Sequence, residues 1–189
     1  MSHTTLHTAY FFRGDIVPCS VEVEVTTGIG IHVIGIPDAA CKEMLLRVAT
    51  AIEAQGYHLP GQKIVISIQP HGGQEMWVGA FRPRECCEAF DLSVALGILI
   101  AAGQIDRPVW KTSVDDVLFF ARLSLDGCLA VPATGIDFPS AIRVLDWQLR
   151  RNWDALIACD THVPEEQHSI YKPMTTLLGV AEALKEGRF

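Results

Sequence analysis

The sequence predicts one α/β domain, an α+β two-layer sandwich in which helices pack on a mixed β-sheet. Three observations predict it: strand patterns come first along the chain, strand and helix patterns then alternate, and one helix pattern is apolar on nearly every side. Strands that alternate with helices are typical of a sheet covered by helices. The length of 189 residues suits a single domain, so we expect residues 1–189 to form one unit.

The first part of the chain shows three strand patterns and one helix pattern. Residues 21–25 alternate valine with glutamate, which predicts a strand with one buried face. Residues 31–36 and 63–68 are the next two apolar strand patterns. Between them we expect a helix that begins with Asp38 as its N-cap and ends at Gly56, because these residue types favour the two ends of a helix.

Residues 70–89 differ from the rest of the chain, with two prolines, three glycines and no sustained period. We interpret them as a long loop, of a kind that is often functional, with a short strand pattern at residues 76–81. Its mixture of aromatic and basic side chains is typical of interaction hot spots. The candidate interaction residues are Met76, Trp77, Phe81, Arg82 and Arg84. The alternative is that the aromatic pair folds back as an extra strand on the domain's own core.

The middle of the chain holds the most apolar helix pattern. Residues 92–102 are apolar on nearly every side, which predicts a helix buried in the middle of the fold. Asp91 is its expected N-cap and Gly103 its C-terminal stop. Residues 117–125 predict one long strand, and the tight turn at residues 126–127 predicts a hairpin return.

The last third of the chain continues the alternation. A helix pattern covers residues 139–151, and strand patterns follow at residues 154–159 and 169–172. Thr176 is the expected start of a last helix, which Gly187 ends. These elements complete the order of strands and helices that predicts the α/β class.

The composition argues against several classes of protein. Lys and Arg number 15 against 22 Asp and Glu, and the net charge of −7 disfavours a protein that grips nucleic acid through phosphate contacts. The N-terminus lacks a signal-peptide pattern, and the longest uncharged apolar stretch, residues 92–105, is shorter than the ~20 residues of a membrane span. The six cysteines form no C-x-x-C pair and suit reduced core positions. We therefore expect a cytoplasmic protein that binds neither membranes nor nucleic acid.

No motif predicts a nucleotide, cofactor or metal site. Residues 56–63 resemble a phosphate-binding loop only in outline, because no Lys follows the second Gly directly and no Ser or Thr follows the Lys. Residues 159–168 collect Cys, Asp, Glu and His, but their spacing matches no standard metal motif. We expect no cofactor and no bound metal.

Four side chains are candidate nucleophiles by residue type, namely Ser67, Cys87, Ser93 and Ser124. A serine needs a general base within hydrogen-bond reach, and the sequence places no His or Lys beside any of these residues. Ser93 lies in the first turn of the apolar helix, where a hydroxyl can simply bond the backbone. It stays a catalytic candidate beside that structural role.

Six segments occur in an order that identifies a family. They are residues 21–25, 33–38, 47–52, 90–99, 102–105 and 123–127. The first three resemble the start of the Mg-chelatase-like, competence-protein ComM-type family. The next two resemble that family's central helix, and the last resembles the strand and turn that follow it. The resemblance runs from about residue 9 to the C-terminus and covers nearly the whole chain.

The resemblance implies a fold and a setting. The family's N-terminal domain has the fold of domain two of ribosomal protein S-five, which the Lon protease domain also uses. In the family this domain normally precedes an AAA+ ATPase module, and the present sequence carries no ATPase motif. The resemblance therefore implies a stand-alone version or the N-terminal domain without its motor. The implied partner is an AAA+ ATPase or further copies of the chain in a homo-oligomer.

The resemblance also bears on catalysis. Lon-type peptidases use a Ser nucleophile and a Lys base, and the nucleophile's place at the start of the central helix falls on Asp91. The Lys is expected after the next strand and turn, yet no lysine lies between Lys111 and Lys172. The resemblance therefore implies that the dyad is absent. Asp91 and Ser93 are the remaining catalytic candidates.

The sequence is compatible with three functions. The first is a non-catalytic interaction and oligomerisation module that acts with an AAA+ ATPase, which the missing dyad and missing phosphate loop favour. The second is a divergent Lon-like serine peptidase, or another hydrolase with a relocated nucleophile. The third is an accessory domain in nucleic-acid processing, against which the net charge of −7 counts.

Overall fold

Strands and helices alternate through most of the chain. The computed structural model describes residues 2–12, 15–71, 87–105, 116–149, 153–161, 163 and 170–188. The strands in these residues are β1 (Ser2–Phe12), β2 (Asp15–Thr26), β3 (Ile31–Ile34), β4 (Lys63–Pro70), β5 (Val117–Phe120), β6 (Arg122–Leu123), β7 (Leu129–Ala130), β8 (Ala155–Cys159) and β9 (Tyr171–Met174). The helices are α1 (Asp38–Ala54), α2 (Asp91–Ala101), α3 (Phe138–Leu149) and α4 (Leu177–Glu186), and a 3-10 helix at Cys87–Phe90 precedes α2.

Seven of the strands form one mixed sheet in the order β3-β4-β2-β1-β5-β8-β9. β2 runs antiparallel to both of its neighbours, β1 and β4, whereas the other neighbouring strands pair in parallel. β6 and β7 form a separate antiparallel hairpin. This mixed sheet with its helices confirms the α/β class that the sequence predicts.

Helix α2 is buried along its whole length, as the sequence predicts. It contacts β1, β2 and α1, and neither Leu96 nor Leu99 has any exposed surface. Gly97 faces β2, where an added Cβ would lie 2.6 Å from Val23 Cγ2. The absence of a side chain at Gly97 therefore lets α2 approach the sheet closely.

The starts of two helices differ from the prediction. Pro37 occupies the N-cap position of α1 and provides no side-chain cap, so Asp38 is the first helical residue and not the cap. Asp91 is likewise the first residue of α2, because the 3-10 helix runs directly into it. The predicted stops are confirmed, since Gly56 and Gly103 follow the two helices with positive φ.

The predicted strand over residues 117–125 is interrupted, so its continuity is wrong. β5 ends at Phe120, and the Ala121 carbonyl accepts a hydrogen bond from the Leu92 N–H at 3.3 Å. This carbonyl thus serves one of the unpaired N–H groups at the start of α2 and not a neighbouring strand. The chain then turns through residues 126–127 into the predicted hairpin of β6 and β7.

Strand β1 has no counterpart among the sequence predictions. One of its faces alternates four buried residues, Thr4, Leu6, Thr8 and Tyr10. Two threonines therefore interrupt the apolar pattern that would have indicated a strand. Thr8 is tolerated in the core because its hydroxyl donates to the Ala89 carbonyl at 3.1 Å.

The C-terminal elements match the prediction. α3 and β8 occupy the predicted segments, whereas β9 covers Tyr171–Met174 and so ends two residues beyond the predicted strand at residues 169–172. Thr176 caps α4, with its side-chain oxygen accepting a hydrogen bond from the Gly179 N–H at 3.0 Å. Gly187 ends the helix in the left-handed conformation, as its residue type indicates.

Two further predictions concern the long loop after β4 and the absence of a membrane span. The predicted loop over residues 70–89 is wrong at both ends, because Pro70 is the last residue of β4 and residues 87–89 belong to the 3-10 helix. Residues 72–86 lie outside the described residues, so the rest of the loop and its strand pattern at residues 76–81 stay predictions. Among the helices of the described segments, none combines the length and the apolar character that crossing a membrane requires.

Candidate functional site

A buried ion pair joins three elements at the N-terminus of α2. Asp91 has no exposed surface. Its Oδ2 accepts a hydrogen bond from Arg47 Nε at 2.8 Å, and its Oδ1 accepts one from Arg47 Nη2 at 3.0 Å. The backbone N–H of Leu123 donates to Oδ2 at 3.1 Å. The carboxylate therefore ties α2 to α1 through Arg47 and to β6 through Leu123.

The electrostatics of this pair are dominated by burial. Burial raises the pKa of Asp91 to about 6 from its ordinary value of 3.8, against the opposing effect of Arg47. Burial is the largest single effect on Arg47 and acts to lower its pKa, but the hydrogen bonds and charge of Asp91, together with the charges of Glu88 and Glu43, outweigh it and raise that pKa. At neutral pH Asp91 is therefore mostly ionised, and its negative charge is matched by a bidentate guanidinium partner.

A second pair of charges adjoins the first. Glu88, in the 3-10 helix, approaches Arg122 with 3.8 Å between Oε1 and Nη1. Its Oε2 accepts a hydrogen bond from the Ala133 N–H at 3.3 Å. The negative charge of Glu88 also helps to raise the pKa of both Asp91 and Arg47. Two carboxylates and two guanidinium groups therefore hold the segments around the start of α2 together.

The other catalytic candidate, Ser93, lies two residues further along α2. It has no exposed surface, and its hydroxyl donates to the Phe90 carbonyl at 3.0 Å. This is the backbone-bonding role that a Ser in a first helical turn commonly takes. Of the nucleophiles suggested by residue type, Cys87 is also buried, and the Ser67 hydroxyl accepts a hydrogen bond from Gln69.

The predicted interaction residues lie outside the described residues, so their positions stay predictions. They are Met76, Trp77, Phe81, Arg82 and Arg84. The described chain leaves β4 at His71, whose ring centroid lies 5.3 Å from that of His7 and 6.3 Å from that of Trp153. Burial lowers the pKa of His71. The segment that carries the interaction residues therefore starts from a packed cluster of rings.

The candidate metal segment at residues 159–168 lies largely outside the described residues, so its role stays a prediction. No group of three or more His, Cys, Asp or Glu residues is placed to hold an ion in the described part of the chain. Cys159, which opens the Cys, Asp, Glu and His segment of the sequence, lies in β8, and its thiol donates to the Leu129 carbonyl at 3.2 Å. Burial raises the pKa of this thiol, so it stays protonated at neutral pH.

Exposed apolar side chains lie on the segments that carry the two ion pairs, and we call them the apolar rim. They are Leu46, Leu125, Val131 and Ile136. The first is next to Arg47 in α1, the second follows β6, and the last two flank the segment that bonds Glu88. Exposed apolar side chains of this kind are surface that a partner can cover.

The sequence indicates that Asp91 needs a partner but does not identify it. Asp91 is the only charged residue among residues 90–105, so a helix apolar on every side has to bury this charge. A buried charge requires a counter-charge, which is the signal that sequence reasoning could have used. The partner, Arg47, lies 44 residues away, and only the packing of α1 against α2 selects it.

The comparisons with known proteins were consistent with one another. A family model described as "Subunit ChlI of Mg-chelatase" matches residues 21–144. "Uncharacterized protein YifB" of Escherichia coli is 30% identical over 130 residues, which are 68% of this chain and 23% of that protein. "Uncharacterized protein Rv2897c" of Mycobacterium tuberculosis is 28% identical over 153 residues, 80% of this chain and 26% of that protein.

A relative with a functional name is similar over a shorter region. "Competence protein ComM" of Haemophilus influenzae is 31% identical over 111 residues, which are 58% of this chain and 19% of that protein. The chain thus spans about a quarter or less of the length of these curated relatives.

Proposed function

This chain belongs to the family of the ChlI subunit of Mg-chelatase, and we propose that it serves there as a non-catalytic interaction and oligomerisation module that acts with an AAA+ ATPase. Within this family the chain is Mg-chelatase-like and ComM-type. The observation that carries the non-catalytic part of the proposal is the environment of Asp91.

Asp91 stands where the resemblance to Lon-type peptidases places the nucleophile. Its carboxylate accepts two hydrogen bonds from Arg47 and one from Leu123, and it has no exposed surface. Acyl transfer of the Ser–Lys kind needs an alcohol to be acylated and an amine to take its proton. A paired and buried carboxylate supplies neither, which supports a structural role at this position.

Ser93 is the residue on which a peptidase function would otherwise depend. Its hydroxyl is engaged with the Phe90 carbonyl and is buried in α2. A substrate would have to enter the core between α2 and the sheet to reach it. Gly97, four residues after Ser93 and therefore on the same face of α2, packs closely against Val23 of β2, which speaks against such an opening.

Two observations support a partner for this domain. The relatives extend well beyond the matched region, so in those proteins the domain is joined to further chain. The residues of the apolar rim are exposed and lie close in sequence to residues of the two ion pairs, and exposed apolar side chains are surface that a partner domain can cover. The AAA+ ATPase as that partner, and the cytoplasm as the location, follow from the family resemblance and the composition.

Serine-directed labelling and peptide turnover test the non-catalytic part of the proposal. We expect no fluorophosphonate labelling, no cleavage of casein or peptides and no ATP hydrolysis by the isolated chain, with a known serine hydrolase as the positive control. Ser93→Ala should leave these results unchanged. Labelling or turnover that disappears in Ser93→Ala would instead support the Lon-like peptidase alternative.

A further inference from the structure

Strand β3 forms one edge of the sheet and pairs only with β4 among the described residues. Its register places Ile31 opposite Ile64, and the Ile64 N–H donates to the Gly30 carbonyl at 2.9 Å. Backbone groups alternate in direction along a strand, so those of Gly30 and His32 point towards β4. The groups of Ile31 and Val33 point away from it. The outer side of β3 therefore presents N–H and C=O groups that another strand can pair with.

The opposite edge of the sheet, β9, is protected against such pairing. Its register places Tyr171 opposite Leu156, whose N–H donates to the Ile170 carbonyl, so β9 has the same phase relative to its neighbour as β3. Pro173 then falls at an outward-pointing position, where it removes the N–H that a further strand would need. Proline is a common protection of sheet edges. In β3 the equivalent position is Val33.

The β3 edge is neutral and apolar in an acidic protein. Residues 28–36 contain no Asp, Glu, Lys or Arg, whereas the whole chain has a net charge of −7. Ile29 and Ile34, before and at the end of β3, are 89% and 59% exposed. Two copies of an acidic chain repel each other least where neither carries charge, and a charged partner would find no counter-charge on this segment.

These observations favour one binding partner for this edge, a second copy of the chain. A strand edge is complementary to an identical edge when the two run antiparallel about a two-fold axis, because each donor then meets an acceptor. We propose that β3 is a homodimerisation edge, at which two copies pair their β3 strands antiparallel and join their sheets. The inference rests on the oligomerisation part of the proposed function and identifies its surface.

The register of the pairing follows from the outward-pointing residues. A two-fold axis at His32 sets Ile31 of one copy opposite Val33 of the other, so both outward-pointing residues of the strand pair. An axis at Val33 would bring in Gly35, which has a φ of 100° and lies beyond the end of the strand. An axis at Ile31 would reach back to Ile29, before the strand begins. The favoured register therefore places the two His32 residues opposite each other, with their Cα atoms ~4.5 Å apart.

Val33→Pro tests the edge, because it reproduces the protection of Pro173 and removes an N–H that does not bond β4. Val33→Ala is the matched control for the lost side chain. We expect wild type and Val33→Ala to dimerise in sedimentation equilibrium, and Val33→Pro to raise the dimer dissociation constant by about tenfold or more while its circular dichroism spectrum stays that of the folded protein. Equal dimerisation of the two Val33 variants would overturn the proposal.

Cysteine cross-linking tests the register, and it remains informative even if Val33→Pro does not fold. His32→Cys should form an intermolecular disulfide under mild oxidation, above the wild-type background, because the Cα separation lies at the short end of the about 4.4–6.8 Å that a disulfide spans. Ile34→Cys is the control on the same face. Its two copies would be about 13 Å apart and should not cross-link. Equal cross-linking of the two variants would contradict the edge.

The outcomes separate this inference from the proposed function. If the wild type dimerises, Val33→Pro dimerises equally well and His32→Cys does not cross-link, the β3 edge is excluded. The proposed oligomerisation role is then retained, with another surface as the interface. A wild-type protein that is monomeric at all accessible concentrations excludes both.

Discussion

Asp91 shows how much one buried charge can hold together. Its carboxylate joins α1, α2 and β6 through three hydrogen bonds, and each of its oxygens is used. Replacing a buried pair by apolar groups can be neutral, but removing one partner leaves an unpaired charge and costs about 3–5 kcal/mol. We therefore interpret the pair as a positioning device that fixes α1 and β6 to the start of α2.

The first prediction concerns the pH dependence of stability at this residue. Burial raises the pKa of Asp91 in the folded protein to about 6 from its ordinary 3.8, so between these values the folded state binds more protons than the unfolded state. The contribution of Asp91 to the free energy of unfolding is therefore full below about pH 3.8 and is lost as the pH rises through about 6, by about 3 kcal/mol.

Urea unfolding of wild type and Asp91→Asn between pH 4 and 7 measures this contribution. The difference in unfolding free energy, wild type minus variant, should fall as the pH rises, because the asparagine does not titrate. A difference that stays constant over this range, or rises, would contradict the raised pKa.

At the scale of elements, α2 is the centre of the fold. All eleven of its residues are buried, and Gly97 permits its contact with Val23 of β2. A helix covered on every side needs no amphipathic pattern, which is why the apolar run was sufficient to predict its place.

The second prediction concerns the packing of this helix. Leu99 is fully buried, so Leu99→Ala should lower the free energy of unfolding by about 2–5 kcal/mol through lost contacts and the cavity left behind. Leu46→Ala is the matched control on α1, because Leu46 is 68% exposed, and it should change stability by less than about 0.5 kcal/mol. Chemical denaturation measures both, and a cost under about 1 kcal/mol for Leu99→Ala would place α2 at the periphery.

Helices and strands could be predicted where their own residues show the periodic burial of a helix or strand. β2, with valines 21, 23 and 25 buried, and α4, with Thr176 and Gly187 at its ends, follow from local pattern and end signals. β1 escaped prediction because buried threonines, one bonded to the Ala89 carbonyl, replace apolar residues in its pattern. The break between β5 and β6 escaped it because the Ala121 carbonyl bonds Leu92, a residue distant in sequence.

At the scale of the whole molecule, we propose two surfaces for two different partners. The β3 edge is neutral and presents backbone groups, which suits an identical copy. The apolar rim presents exposed apolar side chains, and we propose it as the surface for a separate domain such as an AAA+ ATPase. The two surfaces belong to different elements, so both partners are compatible with one fold.

The third prediction concerns the segment between β4 and the 3-10 helix. Deleting residues 72–84 removes Met76, Trp77, Phe81, Arg82 and Arg84, the aromatic and basic composition of an interaction hot spot. If these residues contact a partner, the deletion should leave the melting temperature within a few degrees and weaken binding to the proposed AAA+ ATPase, measured by calorimetry. Self-association should persist, because β3 is untouched.

The alternative for the same segment gives a different result. If the aromatic residues instead complete the domain's own core, the melting temperature should drop by many degrees, because buried aromatic side chains contribute several kcal/mol each. A deletion that lowers the melting temperature in this way would remove the segment from the list of contact surfaces.

The sequence by itself determined the α/β class, the family, the buried central helix and most of the element ends, because hydrophobic period and end signals act within a few residues. Only the tertiary structure decided the order of the strands, the place of β1 inside the sheet and the partner of Asp91. The physical reason is distance along the chain. A period specifies which face of an element is buried, whereas Arg47 meets Asp91 only after α1 and α2 have packed against each other.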